Sequence, residues 1–529
     1  MICDFNNFED GASISSDFCF IGAGAAGIAL AREFIGTPYT VTLLESGGLD
    51  HEPESNRLYE SEIVGLPHLG IHTGRERVFG GTTTVWGGQA LRFDKFDFQP
   101  RCWVPLSGWP IAREELDSYY DRADRLLNLG ENLNYHDVCL DFGISPPSFD
   151  PQKLCMQFSQ WSPKPNFGTA YRQDLKRAHN ISVLLHANVT AIATNISGSA
   201  VEQVEFSTLA GKRGVARARF FALCCGGIEN ARILLASDRA RSRGLGNDHD
   251  VVGRYFQEHV TACLGALEVY NRPRLQNLFE SFFIRGLKYA PLITLAHQAQ
   301  IERKVLSVDG TVSFWPSSDS CIQSAKTLYR ALIGRTYPDN LKSLLRNISA
   351  APGEFIELLY RRSIKKRAAT AKQGWITLNA HAEMAPNPES RVTLSEARDQ
   401  LGMRRVKLDW RLSEAERRSL LEFANIACGE FDRLGLGTFD RTHRKLLEDP
   451  TTWVRQAHDN FHHMGTTRMH NDPKLGVVDS NCCVHGVANL YVGSSSVFPT
   501  CATANPTLTI LALCLRIADR LKQVCVGAS

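Results

Sequence analysis

Hydrophobic and polar positions along this chain alternate between two periods, one suited to strands and one to helices. Residues 17–21, Asp-Phe-Cys-Phe-Ile, form a short apolar run that predicts a strand. Gly22-Ala23-Gly24-Ala25-Ala26-Gly27 follows, and then Leu30, Ala31 and Phe34 continue as a helix. A second apolar run, 39–44, ends at Glu45. Strand, helix and strand together span about 30 residues, the size a β-α-β unit requires.

Further along, Leu116, Tyr119, Tyr120, Ala123 and Leu127 share one side of a helix predicted over 112–129. A Gly/Thr-rich loop precedes it at 79–88, and a Pro-rich irregular stretch follows at 146–165. The pattern then turns to strands at 181–185, 189–196, 204–208 and 215–225, the last running through Gly226-Gly227 into a helix. Residues 323–372 read as helical, and strands return at 375–383 and 391–394. Ser413 and Glu416 form a Ser-x-x-Glu capping box at the start of a helix that stops near Gly435. A last helix is predicted over 507–522.

Composition narrows the class. The 529 residues exceed one ordinary domain, and 43% hydrophobic with 22% charged residues supports a large core under a soluble surface. A net charge of +3 argues against a generally basic nucleic-acid binder. The 15 cysteines include no Cys-x-x-Cys pair, so reduced, buried thiols in a cytoplasmic protein are expected, with no metal site. Asp4, Glu9 and Asp10, without an early Lys or Arg, do not read as a secretory signal, and no apolar run approaches a membrane span.

The charge is uneven. Between Lys326 and Lys372, eleven Lys/Arg stand against Asp339, Glu354 and Glu357, and Arg361-Arg362 and Lys365-Lys366-Arg367 are the densest cluster. Leu341, Leu344, Leu345 and Ile348 add an apolar stripe. A solvated helical face is the plain reading; contact with an anionic substrate or with an anionic membrane surface are the others.

The glycine run carries the first chemistry. Gly22 suits the tight turn after the strand, Gly24 lets a pyrophosphate approach the backbone, and Gly27 lets helix and strand pack closely. Glu45, at the end of the second strand, is placed to accept hydrogen bonds from ribose hydroxyls. This pattern predicts a dinucleotide site and leaves FAD and NAD open, with its early position favouring FAD.

Phe461-His462-His463-Met464-Gly465-Thr466 resembles the His-x-x-Gly-Thr motif of the glucose–methanol–choline (GMC) flavoprotein oxidoreductases. Residues 489–500, Ala504-Asn505-Pro506-Thr507, the loop Gly80-Gly81-Thr82-Thr83-Thr84-Val85-Trp86-Gly87-Gly88, Val252-Gly253-Arg254 and the segment 386–392 are similar to that family's remaining motifs, in the same order. The branch it looks like is that of pyranose oxidases and sugar or polyol dehydrogenases.

The resemblance implies an α/β protein with a Rossmann-like FAD-binding domain and a sheet-containing α+β substrate domain, each discontinuous. The FAD-binding parts are expected at 1–100, 168–260 and 453–529, and the substrate parts at 101–167 and 261–452, with the strands around 375–394 as a sheet covering the flavin. It implies oxidation of an alcohol on a sugar-like or glycoside substrate to the carbonyl, by hydride transfer to FAD. His462 is the expected base and Asn505 holds the substrate oxygen. His463 is either a third catalytic side chain or a buried histidine in a packing layer. The expected cofactor lining is Gly22, Gly24, Ala25, Ala26, Gly27 and Glu45, then Gly80, Gly81, Thr82, Thr84, Val85, Trp86 and Gly87, then Val189, Cys225, Gly226 and Ser494, and finally Asn505, Pro506 and Thr507. Some relatives attach flavin through a histidine where Val85 stands here, and valine has no nucleophile, so the FAD is expected to be non-covalent. A separate electron acceptor (quinone, cytochrome or oxygen) completes the turnover, and a dehydrogenase is favoured over an oxidase. The alternatives are a redox-silent lyase or binding protein of the same fold, and an NAD-dependent dehydrogenase, against which the closing motifs argue.

Overall fold

The computed structural model describes every residue except 317–319, 335–337, 339, 369, 371–373 and 528–529. Arg335, Asp339 and Lys372, counted in the basic segment, lie outside the described residues.

Two eight-stranded sheets organise the chain. In the first, Ile2–Asp4, Ile181–Leu185, Val41–Leu44, Ala12–Ile21, Arg213–Leu223 and Leu490–Val492 are parallel. Val201–Ser207 and Asn188–Thr194 extend it as an antiparallel meander. Phe18, Cys19, Phe20 and Ile21 are all buried, as a parallel strand covered on both faces requires. The strand starts at Ala12, earlier than the apolar run predicts. Its polar first half, Ala12 to Ser16, is held by register with Gly214 to Ala218, so pairing extends it where hydrophobicity does not.

Helices Ala25–Arg32, Asp117–Leu127 and Thr507–Gly527 pack together against this sheet. Tyr120 Oη lies 2.7 Å from Thr509 Oγ1. Arg122 pairs with Glu33 at 2.7 Å and with Asp519 at 2.6 Å. The helix expected within the 101–167 substrate part therefore packs on Thr507–Gly527 and reaches the C-terminal end of Ala25–Arg32, where its buried Tyr120 and Ala123 stripe finds a partner.

The second sheet is antiparallel throughout, in the order Gly437–Phe439, Val260–Val269, Trp375–Ala382, Val308–Trp315, Leu287–Leu295, Leu154–Trp161, Gln89–Ala90, with Phe282–Ile284 beside Leu287–Leu295. Helix Glu414–Arg433 lies across it, capped by Ser413 and Glu416 as predicted. Gly310 makes room for the Phe423 ring, which would stand 2.6 Å from a Cβ there. The predicted 323–372 helical region is three helices, Cys321–Gly334, Leu341–Ala350 and Pro352–Ser363, inserted between two strands that are neighbours in the sheet.

One expectation is corrected. Trp375–Ala382 and Arg391–Arg398 are not one sheet, since the second joins Arg404–Asp409 and Glu62–Ile63 in a separate three-stranded sheet. Pro386 and Pro388 lie between them, and proline cannot donate to a ladder. Ser390 Oγ instead donates to the Phe256 carbonyl at 2.8 Å, and the chain leaves the first direction there.

Candidate active site

A cavity of about 690 Å³ lies between the two large sheets and is lined from all three thirds of the chain. Its floor is the first glycine turn. Gly22 has φ +99°, and a Cβ there would stand 2.8 Å from the Cys224 carbonyl oxygen. Gly24 abuts Gly81, whose own Cβ would reach the Gly24 Cα at 2.8 Å. Helix Ala25–Arg32 begins without a side-chain cap at Gly24, and helix Gly226–Ala236 begins without one at Cys225. Both helix starts carry free N–H donors into a lined cavity, which suits an anion.

Of the sequence-predicted lining residues, Gly22, Gly24, Ala25, Ala26, Glu45, Gly81, Thr82, Val85, Trp86 and Gly87 line the cavity. So do Val189, Cys225, Gly226, Ser494, Asn505, Pro506 and Thr507. Three do not. Gly27 faces its own strand, where a Cβ would meet the Gly22 carbonyl oxygen at 1.9 Å. Gly80 turns with φ +104° against the Gly168 backbone. Thr84 Oγ1 is used locally, donating to the Gly81 carbonyl at 2.9 Å.

Glu45 is buried and fully engaged by the chain itself. One oxygen accepts from Ala23 N–H at 2.8 Å, and the other from Gly47 N–H at 3.0 Å and from Ser46 Oγ. Burial pushes its pKa up, against these bonds. Near it stands a charge cluster the sequence reading did not single out. Glu229 meets Arg77 at 2.8 Å, Arg232 at 3.3 Å and Arg75 at 3.4 Å, and Arg232 reaches Asp399 at 2.6 Å. Three guanidiniums face Glu229 and Asp399, with Glu45 and Glu76 on the same lining, so the cluster is held together by paired charges.

At the other end, His462 and Asn505 meet as expected, with Nε2 and Nδ2 3.3 Å apart. The tautomers follow from the acceptors. His259 Nε2 stands 3.1 Å from the Cys501 carbonyl, which can only accept, so that nitrogen carries the proton. Burial lowers the His259 pKa to about 4, so the ring is neutral and its Nδ1 is a lone pair. That lone pair lies 2.9 Å from His462 Nδ1, which must therefore donate. Burial, then the nearby His259 and His381, hold His462 well below the ordinary histidine pKa. His462 is left neutral, with its Nε2 lone pair turned to the Asn505 Nδ2–H at 3.3 Å, where a hydroxyl could take that donor's place.

His463 lines the same cavity, but its ring packs beside His68 and Phe256, with centroids 5.4 and 6.1 Å away. Its Nε2 has no hydrogen-bond partner. Its carbonyl accepts from Ser495 Oγ at 2.7 Å and occupies the place a Gly227 Cβ would take. Among the described residues, the group whose ligand atoms could take a metal ion is His68, Glu258 and His463, within 4.8 Å of one another.

His259, His381 and the arginine cluster escaped the sequence reading. The one available signal for His259 was its place in Phe256-Gln257-Glu258-His259, directly after the matched Val252-Gly253-Arg254.

A glycine turn beneath a parallel sheet, open to a cavity shared with an antiparallel sheet, defines a two-domain nucleotide-binding α/β protein. Residues 386–514 match the family model described as GMC oxidoreductase. The chain is 24% identical to a 2-methyl-1,2-propanediol dehydrogenase of Mycolicibacterium austroafricanum, over 96% of this chain and 95% of that one. It is 23% identical to a 6'''-hydroxyparomomycin C oxidase of Streptomyces lividus, over 94% and 90%. The solved structure of an FAD-dependent oxidoreductase from Chaetomium thermophilum superposes with a TM-score of 0.57 at 16% identity, over 96% of this chain and 99% of that one. Residues 386–514 thus carry the GMC oxidoreductase C-terminal domain, and the full-length relatives are dehydrogenases and oxidases. That family model and the flavoenzyme neighbour imply FAD, and the glycine cradle and the uncapped helix starts fit that group.

Proposed function

We propose that this protein oxidises an alcohol group on a polyol or sugar-like substrate to the carbonyl. The observation that carries the reading is the histidine relay, which presents a neutral His462 Nε2 lone pair beside the Asn505 amide. Bound FAD supplies a hydride acceptor in this chemistry. His462 Nε2 takes the hydroxyl proton as the carbonyl forms. Asn505 Nδ2 has two N–H donors and steadies the substrate oxygen. The backbone N–H groups at the two helix starts would hold the pyrophosphate of FAD, and the Gly81 to Gly87 loop with Asn505, Pro506 and Thr507 would border its flavin. Val85, in that loop, offers no attachment point, so the FAD is held non-covalently.

The full-length likeness to a polyol dehydrogenase supports electron transfer to a separate acceptor. The test is an anaerobic screen of polyols, sugars and glycosides for loss of visible flavin absorbance, repeated with oxygen and with a quinone. A His462→Ala holoenzyme should lose about 10²- to 10⁴-fold in the rate of that loss. Undiminished reduction in the variant would refute the assignment. Acid precipitation should leave a colourless pellet, since the flavin is released.

A further inference from the structure

The second sheet carries a register row that runs outward from the cavity. Gln89 pairs with Trp161, Trp161 with Lys288, and Lys288 with Phe283. Directly paired residues share a face of an antiparallel sheet, so these four side chains stand side by side. Gln89 and Trp161 line the cavity, and Gly87 gives the Trp161 ring its room. Lys288 Nζ lies 3.5 Å from the centre of the Trp161 ring, and Arg362 Cζ lies 3.1 Å from the centre of the Phe283 ring.

Arg362 reaches this row because the end of the helical insertion docks on the hairpin. Phe283 N–H donates to the Lys366 carbonyl at 2.7 Å, Arg367 lies over Phe282, and Arg361 pairs with Glu280. The insertion's positive charge is thus divided. Arg361 and Arg367 are consumed in holding the insertion, while Arg362 and Lys326 stand close enough to act on Lys288. No carboxylate among the described residues acts on Lys288 or Arg362. Burial, then Lys326 and Arg362, lower the Lys288 pKa to about 8. Beside them the Trp161 Nε1–H is buried without an acceptor. The Lys288 ammonium, the Arg362 guanidinium and the Trp161 N–H can only donate, and a buried donor without an acceptor is costly.

We propose that Lys288, Arg362 and the Trp161 N–H form a binding site for a phosphate group carried by the substrate, so that the alcohol oxidised belongs to a phosphorylated sugar or polyol. The phosphate sits at the outer end of the row, beside Trp161, and the reacting hydroxyl at His462 and Asn505 in the cavity that Trp161 lines. This rests on the reading of the cavity as an alcohol-oxidising site, but its binding half can be read without turnover.

The holoenzyme is titrated with inorganic phosphate and with inorganic pyrophosphate while tryptophan fluorescence is followed. A saturable change is expected, weakened at least tenfold by Lys288→Met, which keeps an unbranched apolar stem over Trp161, and also weakened by the exposed Arg362→Gln. Arg285→Gln, which removes an exposed charge from the same hairpin, should leave it in place. In parallel, anaerobic flavin reduction is compared for a free sugar, its phosphate monoester and its nucleoside-diphosphate ester. At least one ester should act at tenfold lower concentration than the free sugar, and Lys288→Met should erase that preference. Which ester it is tells a terminal phosphate from a diphosphate linkage.

No fluorescence response, or an equal response in Lys288→Met, would overturn the proposal. So would pelleting with phosphatidylglycerol vesicles that depends on Lys288 while pyrophosphate gives no signal, since the cluster would then face lipid. If no alcohol reduces the flavin yet pyrophosphate binding still depends on Lys288, the anion site stands and the reading of the reaction falls.

Discussion

The Cys501 carbonyl acts on His462 through a second ring, and the effect can be measured. His259 is a positioning residue, because it fixes the His462 tautomer without facing Asn505. His259→Ala should lower the flavin reduction rate about 100-fold, a cost of the order seen when a reacting group is misplaced. It should also move the pH profile. In the proposed reaction His462 works as a base in its neutral form, and its pKa is held low, so the wild-type rate should be level at pH 7 and fall only well below the ordinary value of about 6.5. Removing the neighbouring imidazole and admitting water raises that pKa, so the acid limb shifts to higher pH. An unshifted profile would reduce His259 to a packing role. His462 and Asn505 were legible because a motif marks them. His259 was not, since a histidine beside Gln257 and Glu258 looks like any core residue until the fold spans the 203 positions to His462.

Among the elements, the first β-α-β unit was the most legible, because period, glycine spacing and the terminal acid agree. Its glycines divide the work as their spacing implies, although Gly27, also expected in the cofactor lining, is not there. Gly22 and Gly24 face the cavity, while Gly27 serves the contact between helix and strand. Gly27→Ala should destabilise the protein by about 1–3 kcal/mol through overpacking, measured by denaturant unfolding, with FAD retention falling as the turn is displaced. An unchanged midpoint would mean that the helix slides away freely. The capping box at Ser413 was read correctly because it is local: Glu416 Oε2 accepts from Ser413 N–H at 2.6 Å. The separate sheet around Arg391–Arg398 was not readable. Its partner Glu62–Ile63 is two residues long and lies far away in the chain, so no local pattern announces it.

For the whole molecule, the near-neutral composition hid a local basic region, and only part of it, Lys326 and Arg362, comes close enough to act on Lys288. The first sheet is also assembled late, because Leu490–Val492 pairs with Arg213–Leu223 and helix Thr507–Gly527 fills the space beside Ala25–Arg32. Residues 1–260 expressed alone should therefore be insoluble or unfolded by circular dichroism and carry no flavin absorbance. A soluble yellow fragment would contradict this. The helical insertion behaves oppositely. Its two ends, at Trp315 and Trp375, are paired in register across adjacent strands. The strand pair itself needs nothing between those ends, but the buried Glu280 would lose its Arg361 partner if the whole stretch were cut away. Descendants of this scaffold can therefore lengthen or exchange the outer helices while keeping the docked end, reshaping the surface beside the cavity and inheriting the glycine cradle intact.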